Sequence, residues 1–136
     1  MSAHRILLVS SDEGLRADVG GWLEAQGHDL MECPGPRYPE YGCVGVRGGL
    51  CALKSAAEVC ILDLHPAGAD LVDRTTRTDL IRLYAVGGRP VVVLVDGEDF
   101  LNLEPMPGVA VLDRTVDTGI LAGVLEELAP RVQPLP

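Results

Sequence analysis

The run Val59-Cys60-Ile61-Leu62 stops at Asp63, and His65-Pro66 follows close behind. An uncharged run this short, closed by a turn signal, reads as a strand buried on both faces. An aspartate at the carboxyl end of such a strand lies on the rim where open α/β sheets do their chemistry. The rest of the chain is placed around Asp63.

Four more strands are predicted, at residues 5–9, 29–33, 90–95 and 108–112. The second is short and polar enough for an edge. The fourth, uncharged and rich in valine, is the clearest of all. Between them fall helical patterns. Leu15, Val19, Trp22 and Leu23 recur at i, i+4, i+7 and i+8 and predict a helix over 14–26. Ser10, Ser11 and Asp12 are its candidate N-caps, and Gly27 suits the position after its end. Further helices are expected at about 50–57, 76–86 and 116–128. Strand and helix alternate with short connections, which predicts an α/β flavodoxin-like three-layer sandwich. Its five-stranded parallel sheet should have order 2-1-3-4-5. Ser10, Ser11, Asp12, Asp63, Asp96 and Arg114 then share one rim.

A chain of 136 residues supplies one core and too little for two. The expected organisation is a single domain over 1–132, with 133–136 a frayed tail. Residues 34–50, rich in Gly and Pro, form an irregular insertion that carries cysteine, and a loop of that length usually has a functional reason. The formal net charge of -9 argues against a nucleic-acid face and against anionic membranes. Neither a signal-peptide core nor an apolar span is present, so a cytoplasmic location is expected.

In that compartment the four cysteines are thiols or ligands rather than a disulfide framework. Cys33, Cys43 and Cys51 are separated by nine and then seven intervening residues around the irregular loop. No close pair occurs, which weakens a zinc reading. An iron–sulfur or other redox site on a loop fits the spacing better. A fourth ligand would come from His28, His65 or a partner chain. The plain alternative is that some of the three are small buried apolar residues, as Cys60 inside its strand should be.

Arg5-Ile6-Leu7-Leu8-Val9 with Leu15-Arg16, then Trp22-Leu23-Glu24-Ala25-Gln26-Gly27-His28, resembles the opening of a response-regulator receiver domain, the CheY-like family. Val59-Cys60-Ile61-Leu62-Asp63-Leu64 resembles that family's phosphoacceptor strand, and Arg89-Pro90-Val91-Val92-Val93-Leu94 its fourth strand. The resemblance covers nearly the whole chain, fails between Cys33 and Cys51, and is loose over 66–78. It implies an acidic metal-binding pair after strand one, which falls here on Ser10 and Ser11. It implies a phosphoacceptor at Asp63, a Ser or Thr at what is Val95, and a Lys at what is Arg114. The proline after that Lys is Thr115, and the proline expected four residues past the acceptor stands three past it. Of the five positions that define the activity, only Asp63 is unchanged.

Two serines do not replace two carboxylates as ligands for a hard cation, and phosphoryl transfer to a carboxylate needs one. Asp12 and Asp96 are the rim groups that could stand in. Val95 offers no hydrogen bond to a phosphoryl oxygen. Arg114 is placed to pair with Asp63 and hold it ionised. The expectation is therefore a stand-alone, degenerate receiver-like signalling or protein-interaction module. It would not be an enzyme, and it would have no resident Mg²⁺ and no catalytic residue. Its output would pass through a signalling protein or a homodimer. One alternative is a metal or redox sensor built on Cys33, Cys43 and Cys51. Another is a working phosphorelay receiver, phosphorylated on Asp63.

Overall fold

The computed structural model describes residues 3–10, 12–33, 56–64, 81–82, 84–85, 89–95, 106–115 and 117–128. Its strands are β1 (Arg5–Val9), β2 (Asp29–Cys33), β3 (Val59–Asp63), β4 (Val91–Val95) and β5 (Val109–Asp113). They form one parallel sheet in the order β2-β1-β3-β4-β5. This is the expected flavodoxin-like topology, with β2 on an edge. Its helices are α1 (Glu13–Ala25) and α2 (Thr118–Leu128). Residues 81, 82, 84 and 85 are also helical.

The period of two along each strand divides the core. Ile6, Leu8, Val59, Ile61, Val92 and Leu94 face one side, where Leu23 of α1 and Leu121, Leu125 and Leu128 of α2 cover them. Leu7, Val9, Cys33, Cys60, Leu62, Val91 and Val93 face the other, against Ala57, Ile81 and Tyr84. Burial on both faces explains why β3 and β4 read as uninterrupted apolar runs. α1 crosses β2 closely at Gly20, where an added Cβ would stand 2.9 Å from Glu32 Oε1 and 3.0 Å from Leu30 Cδ2.

Several boundaries shift by a residue or two, each for a local reason. α1 begins after Asp12, whose carboxylate accepts the Leu15 N–H at 3.1 Å, so Asp12 is the cap among the three candidates. β4 begins after Pro90, which has no N–H but accepts from Cys60 N–H at 3.1 Å. β5 begins after Gly108, whose φ of 76° belongs to the turn before it. α2 begins after Asp117, which accepts the Ile120 N–H at 3.0 Å. Cys33 is the last residue of β2, as the predicted strand over 29–33 has it, and its side chain is buried in the core. Cys60 is buried inside β3, as expected. The insertion at 34–50, the tail at 133–136, Ser11, Cys43, Cys51, His65 and Asp96 lie outside the described residues.

Candidate functional site

Four polar side chains meet at the carboxyl ends of β1, β3 and β5. Ser10 continues the Ile6–Leu8 face of β1, Asp63 the Val59–Ile61 face of β3, and Arg114 the Ala110–Leu112 face beyond β5. The parallel register sets Ser10 level with Asp63, and Asp63 level with Leu94 and Leu112, so Arg114 stands two residues further along on the same α1 and α2 side. Arg114 is held there by its backbone, which donates to the Val95 carbonyl at 2.9 Å.

Arg114 grips Asp63 with two nitrogens. Nε donates to Oδ1 at 3.3 Å and Nη2 to Oδ2 at 3.2 Å. Nη2 also donates to Asp12 Oδ2 at 3.0 Å. The Ser10 hydroxyl donates to Asp63 Oδ2 at 2.7 Å, a short bond to a charged acceptor. The same Ser10 oxygen accepts the Asp12 N–H at 3.0 Å. Its single proton goes to Asp63, since the contact to the Asp12 carbonyl is a long 3.5 Å.

The side chain of Asp63 is 0% exposed, that of Arg114 15% and that of Asp12 38%. Burial alone would lower the Arg114 pKa. Its hydrogen bonds to Asp63 and then Asp12 outweigh burial and move it upward. The same guanidinium, and next the Leu15 N–H, hold the Asp12 carboxyl below its ordinary value. The site is a network of fixed charges with its cation built in.

Both carboxylate oxygens of Asp12 are engaged. One of its oxygens caps α1 and the other is bound to Arg114. A hard cation of the kind the resemblance implies does not fit these groups. Ser10 is neutral, and the carboxylates of Asp63 and Asp12 already face a guanidinium that occupies the space between them. Val95 is buried in the apolar cluster with Leu64, on the opposite sheet face from Leu94 and Asp63. The residues called from sequence therefore separate: Ser10, Asp12, Asp63 and Arg114 interact, and Val95 borders them from below.

The fold comparison follows from this geometry. Chemotaxis protein CheY4 of Vibrio cholerae superposes with a TM-score of 0.62 at 14% identity, over 93% of this chain and 99% of that one. A response-regulator receiver domain from Clostridium thermocellum gives 0.68 at 16%, over 94% and 95%. The receiver domain of PhyR from Erythrobacter litoralis gives 0.66 at 11%, over 98% and 95%. The fold is that of a receiver domain. No family model and no curated protein sequence matches the chain. In the receiver fold, Asp63 ends the third strand, the position that the sequence resemblance assigned to the phosphoacceptor.

Cys33 ends β2, and its carbonyl accepts the Ser10 N–H at 3.0 Å, so its backbone adjoins the site. His28 cannot share a ligand with it. His28 precedes β2 at its other end, five residues away, or about 16 Å of extended chain. Among the described residues no group of three metal-ligating side chains forms. Sequence reasoning missed one feature, a contact between His4 and His28 at the amino end of the sheet. Both residues stand just ahead of adjacent strands, so the strand order itself carried the signal.

Proposed function

We propose that this chain is a receiver-fold signalling module that acts by binding a protein partner, a signalling protein or a second copy, without ordinary Mg²⁺-dependent phosphorylation of Asp63. The observation that carries this reading is the double contact of Arg114 with Asp63, reinforced by Asp12. A carboxylate is a competent acceptor when a divalent cation neutralises the incoming phosphate. Here both Asp63 oxygens face the guanidinium and one also takes the Ser10 proton. An arginine stays protonated at any physiological pH, so the pair does not relax on its own. A module held in one state signals by contact, and that is chemistry for a binding surface rather than an active site.

The test is to incubate the purified chain with a small phosphodonor and excess Mg²⁺ and record its intact mass. An unmodified Asp63 is the expected result. A phosphoryl group mapped to Asp63 overturns the reading. The S10D/R114K variant supplies a second carboxylate and a flexible cation. It is expected to gain Mg²⁺-dependent NMR shifts around residue 63 that the unaltered chain lacks.

A further inference from the structure

The end of the sheet opposite Asp63 holds a buried imidazole that the proposed function does not use. The register that sets Arg5 beside Asp29 brings His4 beside His28. Their rings stack with centroids 5.8 Å apart and planes 12° apart. His28 is 5% exposed. Its Nδ1 accepts the His4 backbone N–H at 3.1 Å, and the Asp29 N–H returns a bond to the His4 carbonyl at 2.9 Å. The backbone of His4 is thus tied to β2 on both sides. Accepting at Nδ1 fixes the neutral tautomer, with the ring proton on Nε2. Nε2 is buried and has no hydrogen-bond partner among the described residues.

A second proton has no good place here. On Nδ1 it would set a donor against the His4 donor. Among the described residues, the charged neighbours are Arg5 on β1, Asp29 on β2 and Glu58 ahead of β3. Arg5 and Asp29 are an exposed pair at 3.8 Å, and Glu58 Oε1 accepts the Arg5 N–H at 3.0 Å. Neither carboxylate bonds Nε2. α1 meets His28 through backbone, with the His28 N–H donating to the Leu23 carbonyl at 3.2 Å, and its last charged residue, Glu24, is exposed. The carbonyl end of α1 favours a cation. Burial outweighs it and, with the His4 ring adding to it, pushes the His28 pKa below 6.5.

We propose that His4 and His28 form a proton-sensitive clasp, in which protonation of His28 releases the backbone ahead of β1 from the head of β2. The direction follows from linkage. A histidine whose closed-state pKa is lowered favours the closed form above its free value. It favours opening as pH falls below that value, because the open form takes up the proton more readily. The clasp is independent of the Arg114 network at the far end of β1.

Amide hydrogen exchange tests it between about pH 7.5 and 5.5, on either side of the free histidine value. Protection of the His4 and Asp29 amides, corrected for intrinsic exchange, should fall as pH drops below about 6.5, by at most about tenfold per pH unit for one proton, while β3 amides hold. His28→Asn keeps an acceptor at the δ position and cannot be protonated, so its protection should stay flat. The same pH response in that variant, or a loss spread evenly through β3, overturns the clasp. If His28→Asn does not fold, ring ¹⁵N shifts of the unaltered protein decide. Protonation of His28 in step with loss of the His4 amide supports the clasp. An imidazolium beside a still protected His4 amide defeats it.

Discussion

Arg114 and Asp63 meet side-on, Nε to Oδ1 at 3.3 Å and Nη2 to Oδ2 at 3.2 Å, with the Asp63 side chain wholly buried. A pair made this way is asymmetric in its consequences. The intact pair contributes modestly, because burying both charges costs nearly what their attraction returns. Losing one partner strands the other.

Arg114→Met should therefore destabilise the fold by about 3–5 kcal/mol, since it leaves an uncompensated carboxylate in the core. Arg114→Lys should cost less, because it keeps the charge and loses only the two-pronged geometry. Urea denaturation at neutral pH separates the two. Equal midpoints for both variants would show that the fork geometry contributes nothing.

Ser10→Ala removes the hydroxyl that donates to Asp63 and accepts from the Asp12 N–H. A cost of about 1–3 kcal/mol is expected, since the buried Asp63 carboxylate and the half-buried Asp12 N–H each lose a partner. Ser10→Thr, with the hydroxyl kept, should recover part of it. A midpoint for the alanine variant equal to that of the unaltered protein would contradict the hydrogen-bond assignment.

Asp12 has two separable jobs. Asp12→Asn keeps an N-cap oxygen and loses the charge, whereas Asp12→Ala loses both, and the capping share should be about 1 kcal/mol. The pH dependence follows from the lowered carboxyl pKa. Asp12 contributes fully above its unfolded value of 3.8 and loses that contribution as pH falls through the lower folded value. Stability curves of Asp12→Asn and the unaltered protein should converge below pH 3.8 and stay parallel above it. Parallel curves down through that range would show the charge to be irrelevant.

Cys33 and Cys60 lie in the core, so an aqueous thiol reagent should reach them only when the sheet opens. Labelling followed by peptide mapping should show both protected in native buffer and reactive in denaturant. Cys60→Ser would place a hydroxyl on a fully buried strand at about 1–3 kcal/mol. Fast native labelling of either cysteine would contradict its burial.

Strand order and the meeting of Asp63 with Arg114 were legible in the sequence, because buried parallel strands advertise themselves as unbroken apolar runs and the period of two carries their faces past the strand ends. The role of Asp12 was not. Three cap residues in a row look alike, and only the extended backbone at Asp12, φ -89° and ψ 107°, selects it. The end of β2 at Cys33 was legible too, because Pro34 and Gly35 follow it directly in the sequence, and Cys33 pairs beside Val9. The His4–His28 contact has no periodicity to betray it. It exists only once the β1–β2 register is known.

The chain separations in the polar network carry a consequence for the order of folding. Asp12 and Arg114 are 102 residues apart, Ser10 and Asp63 are 53 apart, and Asp63 and Arg114 are 51 apart. Closing loops of that length is entropically slow, and contacts across them arrive after local ones. β1 and β2, joined through α1, can pair early, but Arg114 reaches Asp12 only when β3, β4 and β5 have been laid down beside them. The guanidinium is thus the keystone set last, and a spectroscopic probe on it would time the completion of the whole sheet.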